Sequence, residues 1–179
     1  MLTLTFVGIA RMYAIKGELE SIVNKHNVQT ELVSTMRTVA RERVINLYAM
    51  TMLEDPFEKD EASQRYKALA NEFLKARSQL EAMRLSTAER EALRETLLLI
   101  SQASRSQGEV EVFVAQGDTA SAHRTLLKKV IPVQGEIFKL YSRLLEMHRD
   151  SARQAVSSAD EEFHFATLFM LLSGAAAVL

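Results

Sequence analysis

The sequence predicts an all-α fold: an antiparallel up-down-up-down four-helix bundle with long first and last helices. Three observations predict it. The 179 residues include only 6 glycines and 2 prolines, too little punctuation for a sheet with many turns. Apolar residues recur at alternating steps of four and three, the signature of helices packed in a bundle. The few breaks carry helix-start and helix-stop chemistry and divide the chain into four segments.

The first segment, 11–53, has no proline and a single glycine, Gly17. Its stripe runs Ile15, Leu19, Ile22, then Val33, Met36, Ala40 and Leu47. Asp55-Pro56-Phe57-Glu58 is a strong helix start: Asp55 accepts from the N3 amide, Pro56 suits N1, and Glu58 sits near the positive helix end. The second helix is predicted over 56–85, with Tyr66, Leu69, Ala70, Phe73, Leu74, Leu80 and Met83 inward. Ser86-Thr87-Ala88-Glu89 is a capping box, opening a third helix over 87–116 that buries Leu93, Leu97, Ile100, Ala103, Val110 and Val114. Gly117-Asp118 closes it and caps the fourth, predicted over 119–170. Pro132 lies inside the fourth helix and should kink it, because Leu127, Val130, Ile137, Tyr141 and Leu144 keep one stripe across it; a fresh start near residue 133 is the alternative.

The predicted lengths fit a bundle. The middle helices are about 29 residues each, about 43 Å, whereas 11–53 and 119–164 are each about 45 residues, about 65 Å. Two long helices would therefore start and end at one plane, with the shorter hairpin packed on their far half.

Residues 1–10 and 165–179 carry no charge. Each is shorter than the ~20 apolar residues of a spanning helix, but each touches a chain end. They read as truncated membrane spans: 1–10 the end of one, 165–179 the start of another, and 11–164 the loop between them. The Gly-Ala-Ala-Ala tail fits close packing of membrane helices. No basic stretch precedes the first, so it is a poor signal peptide.

Composition excludes several functions. The net charge of −1 lacks the basic field of a general nucleic-acid binder. With no cysteine, disulfides, thiolate catalysis, iron–sulfur clusters and cysteine-bound zinc are ruled out. Nucleophile-elbow, P-loop and dinucleotide-binding motifs are absent. A di-iron bundle needs two Glu-x-x-His pairs, and the chain offers one, Glu161-x-x-His164, which reads as chance. No enzyme activity, cofactor or metal is expected.

Polar residues in the apolar seam are more informative. The first helix places His26, Gln29 and, nearer its end, Arg43 there; the fourth places Gln134, His148 and Ser151. His26 and His148 lie equally far from the predicted membrane plane and should share a layer. That layer either fixes register or titrates near neutral pH. Arg37 and Arg41, four apart, share a face with Thr30 and Ser34. Two guanidinium groups so placed can grip a carboxylate bidentately, with Arg43 and Gln134 as secondary contacts. Pairing with Glu42 and other acids on a solvated face is the alternative.

In these features the chain resembles the four-helix-bundle sensory modules of bacterial chemoreceptors and related membrane-bound signalling proteins. The resemblance rests on the two apolar ends, the long-short-short-long helices, and three stretches: Arg41-Glu-Arg-Val, Asp55-Pro-Phe-Glu-Lys-Asp-Glu61 and Val130-Ile-Pro-Val-Gln134. The Asp-Pro-Phe-Glu turn is similar to modules joined to cyclic-dinucleotide enzymes (GGDEF and EAL types) as well as to chemoreceptor tails. The resemblance implies a periplasmic sensor on an inner-membrane homodimer, passing a conformational signal through helices one and four. In the amino-acid-binding members, arginines of helix one and polar groups of helix four form a ligand site at the dimer interface. Arg37, Arg41 and Arg43 fall in the corresponding part with a different spacing, so the ligand itself does not carry over, and the expectation of a small anion, an organic acid or amino acid, rests on the clustered arginines. The competing class is a structural or protein-interaction bundle without a small-molecule ligand.

Overall fold

Cap chemistry sets each helix boundary in the computed structural model, which describes the backbone of residues 2–176 and the side chains of 17, 23–161, 163–164 and 167. Helix α1 spans Leu2–Met52, α2 Pro56–Ala82, α3 Thr87–Ala115 and α4 Thr119–Thr125; a π-helical segment, Leu126–Val130, then leads into α5, Ile131–Ala176. No strand occurs among the described residues. The fold is all-α, and α4, the π segment and α5 together form the fourth helix of the bundle.

The predicted caps are in place. Asp55 accepts from the amides of Phe57 (2.7 Å) and Glu58 (3.2 Å), with Pro56 at N1. The Ser86–Glu89 box closes in both directions: the Ser86 amide donates to Glu89 Oε2 (2.7 Å) and the Glu89 amide to Ser86 Oγ (3.2 Å). At the end of α3, Gly117 takes φ +76°. Its amide donates to Val114 O (3.1 Å) and that of Asp118 to Phe113 O (2.9 Å), the paired bonds of a Schellman turn, where glycine avoids the Cβ clash. Asp118 then accepts from the Ser121 amide (2.9 Å). That bond holds the Asp118 carboxyl below its ordinary pKa of 3.8.

The chain divides into two compact units, Met1–Gln29 with His148–Leu179, and Thr30–Met147. The second holds the four-helix packing, in which short turns at 53–55, 83–86 and 116–118 reverse the chain so that neighbouring helices run antiparallel. Its interior forms two clusters. One gathers Val33 and Met36 with Leu80, Leu93, Ile137, Tyr141 and Leu144; the other gathers Leu47, Met50, Ala62, Tyr66, Val110, Leu126 and Val130. Each large apolar side chain so buried contributes about 1.5–3 kcal/mol.

Four expectations are corrected. Helix α2 ends at Ala82 rather than Leu85, the chain turning extended at Met83. Leu74 is 55 % exposed, while the inward positions of α2 include Ala62 and Ala76. The stripe before Pro132 passes through Leu126, fully buried, and not Leu127, which is 47 % exposed. The helix does not restart near residue 133: it runs through Pro132, and a π segment lies directly ahead of the proline. Proline has no N–H and its ring crowds the carbonyl four residues back; a wider turn accommodates both. The buried positions Ala122, Leu126, Val130 and Gln134 accordingly recur every four residues, and the three-four alternation resumes at Ile137.

In the unit formed by 2–29 and 148–176, Gln29 and His148 are fully buried, and His26 and Ser151 half-buried. The side chains of Ile15, Leu19 and Ile22, of residues 1–10, and of most of 165–179 lie outside the described set, and with them the reading of both ends as membrane spans. Among the described residues no helix is long and apolar enough to cross a membrane.

Candidate functional site

Between the two core clusters the bundle carries small or polar residues in place of large apolar ones. Ala40 on α1, Ala70 on α2 and Ala103 on α3 sit at this level, with Arg43, Gln107 and Gln134. Side chains truncated at Cβ on three helices leave space that the fourth does not fill. The result is a cavity of about 280 Å³ within Thr30–Met147. Phe73, Leu74, Leu97, Ile100 and Ile137 complete its apolar wall; Arg77, Ser101 and Ser104 complete its polar one.

The polar wall is positively charged and contains no carboxylate. Arg43 lies 4.2 Å over the Tyr66 ring, a cation–π contact that holds the guanidinium in place. It forms no salt bridge among the described residues. Tyr66 in turn donates its hydroxyl to Gln107 Oε1 (3.1 Å). Burial raises the Tyr66 pKa to about 12, opposed by the neighbouring Arg43 charge, so the phenol stays neutral and remains a donor. Arg77 is tied by its Nε to Glu81 Oε1 (3.0 Å) at 40 % side-chain exposure, which places it at the rim. Gln134 is 6 % exposed, and its Nε2 is buried with no hydrogen-bond partner. An orphaned buried donor costs about 1–3 kcal/mol, so the cavity presents an unmet demand for an acceptor.

The predicted site residues separate. Arg43 and Gln134 share the cavity. Arg37 and Arg41 are exposed on the outside of α1 and do not line it. Arg77 and the Tyr66–Gln107 pair were not anticipated, Arg77 because it sits on a helix flank beside a ready acid. The usable signal was Ala40, Ala70 and Ala103, three small residues at one height of an otherwise bulky seam. The predicted histidine layer is present: nitrogens of His26 and His148 approach within 4.8 Å. His164 pairs with Asp160 (3.6 Å) on an exposed surface, away from any cavity described here.

The cavity thus sets a cationic polar wall against an apolar one between the bundle helices. A family model described as a four helix bundle sensory module for signal transduction matches residues 1–163. The chain belongs to that family. No curated protein matches it. For this sensory module, the match spans all four helices and therefore both core clusters and the cavity between them. The exposed apolar residues of the module are also ordered. Ile45, Tyr48 and Met52 are 57, 40 and 55 % exposed at helical spacing on α1. The Tyr48 ring meets that of His123 at 5.8 Å, and Leu127 and Ile131 follow His123 at steps of four.

Proposed function

We propose that this sensory module is the extracytoplasmic part of a bacterial inner-membrane receptor, and that it binds a small carboxylate in the cavity beside Arg43 and Gln134. Residues 11–164 form the periplasmic domain, and the uncharged stretches 1–10 and 165–179 belong to the receptor's two membrane helices. Two copies associate through α1, burying the apolar row Ile45–Tyr48–Met52. Membership of a sensory family supports the receptor reading. The single observation that carries the ligand reading is the buried Gln134 Nε2, left without an acceptor in a cavity with two arginines and no acid. An organic acid or amino acid would place its carboxylate between Arg43 and Gln134 and its remainder against Phe73, Leu97 and Ile137. A ligand that tightens these helices in one state shifts the population toward that state.

Arg37 and Arg41, being exposed, reach a ligand only if a second copy packs over them. Calorimetric titration with a panel of organic acids and amino acids separates the two seats. Loss of binding in Arg43→Ala, with Arg37→Ala/Arg41→Ala unaffected, is the expected result. The reverse pattern moves the seat to the outer face of α1. Absence of binding across the panel favours the ligand-free interaction bundle.

A further inference from the structure

The histidine layer has no part in the carboxylate cavity. His26 on α1 and His148 on α5 belong to the same compact unit, and each offers a ring nitrogen within 4.8 Å of the other. The Nδ1 of His26 is buried and makes no hydrogen bond. His148 is fully buried and already makes an interaction of its own, with which a bound ion would have to compete for the ring nitrogen. A buried hydrophobic seam does not ordinarily bring two imidazoles together, since each carries polar nitrogens that must be satisfied. Two neutral imidazoles converging from facing helices are the donor set of a borderline divalent transition metal such as Zn²⁺, Ni²⁺ or Cu²⁺, and they discriminate against Mg²⁺ and Ca²⁺, which take oxygen ligands.

We infer that His26 and His148 bind a divalent transition-metal ion of the zinc class, joining α1 to α5. Its remaining positions take water or other oxygen donors. Binding requires both imidazoles neutral, so protons compete with the ion for the site. The ion links the two helices that carry the chain toward its ends, so its occupancy stiffens the pair along which a signal would pass.

The test is calorimetric titration of the tag-free, chelator-stripped 179-residue chain with ZnCl₂ at pH 7.5. Cobalt binding, followed by its visible absorption, reports imidazole coordination directly. One ion per chain is expected, with a thermal midpoint several degrees higher. Affinity should fall at least about tenfold in His26→Gln, since even supporting residues of metal sites are worth 10–100-fold. Because His26 is only half-buried, His26→Gln tests the proposal even if the fully buried His148→Gln fails to fold. A His123→Gln/His164→Gln variant removes the other two histidines and should bind as the parent does. Unchanged binding in His26→Gln, binding lost in His123→Gln/His164→Gln, or no zinc uptake below millimolar concentration would each overturn the assignment. These outcomes are independent of the carboxylate panel.

Discussion

Replacing Gln134 and Gln107 each by leucine should have opposite effects, although both line one cavity and the chemical change is the same. Gln134 holds a buried amide nitrogen with no acceptor. Leucine removes that desolvation cost, about 1–3 kcal/mol, and places an apolar group beside Ile137 in a cavity with a largely apolar wall. Allowing for the different shape of leucine, the net gain should be about 1–2 kcal/mol. Gln107 accepts the Tyr66 hydroxyl at 3.1 Å. Leucine there leaves a buried phenol without its acceptor, a loss of about 1–3 kcal/mol. At about 2–4 °C per kcal/mol for a chain of this size, the thermal midpoint should rise by about 2–8 °C in Gln134→Leu and fall by about 2–12 °C in Gln107→Leu. Tyr66→Phe added to Gln107→Leu should restore part of the loss, which a double-mutant cycle reads as coupling.

Calorimetry of the ligand-free chain measures the stabilities, and carboxylate titration of Gln134→Leu measures the functional cost. The stabilised variant should lose at least about tenfold in affinity, the equivalent of 1.4 kcal/mol. A Gln134→Leu chain less stable than its parent would refute the reasoning, because the amide would then be satisfied without a ligand. So would a stabilised variant that binds unchanged.

Three further outcomes follow from the fold. Leu126→Ala should cost about 2–5 kcal/mol and Leu127→Ala within about 0.5 kcal/mol, measured by urea unfolding; equal effects would refute the register set by the π segment. Tyr141 is fully buried and its hydroxyl has no partner, so burial pushes its pKa upward, and Tyr141→Phe should leave stability unchanged or raise it by about 1 kcal/mol in the same assay. Asp118 has a folded-state pKa below 3.8, so its cap stabilises the fold above that value and loses effect as pH falls through the folded pKa. The stability gap between wild type and Asp118→Asn should therefore close on acidification, in thermal unfolding between pH 5 and pH 2.

The caps were legible because they are local. Asp55, Ser86 with Glu89, and Gly117 with Asp118 need only their own neighbours to do their work, and spacing alone identifies them. The inward residues of α1 and α3 were legible for a similar reason, since long uninterrupted helices keep phase. The fourth helix lost phase at Pro132, where a π turn adds a residue that no propensity marks, so Leu126 and Leu127 exchanged roles. Leu74 was misjudged for another reason. Short alanines at 62 and 76 face the core of α2 while the larger leucine remains outside, and residue size does not report which side of a helix meets its neighbours.

The candidate site divided along the same line. Arg43 and Gln134 were legible as polar interruptions of an apolar seam. Arg37 and Arg41 were selected by charge and spacing on a face whose burial the sequence does not give, and both are exposed. The physical distinction is what each position costs when empty. An exposed arginine is hydrated and free to pair with passing ions, so its presence demands no ligand. A guanidinium held over Tyr66 beside an unmet Gln134 donor has lost part of its solvent, and no salt bridge to it occurs among the described residues. Alanines at 40, 70 and 103 keep that space open, although larger apolar residues there would fill it and extend the core. Stability alone would favour closing the gap between the two core clusters. A cavity kept open, cationic and short of an acceptor is what the proposed carboxylate ligand would require.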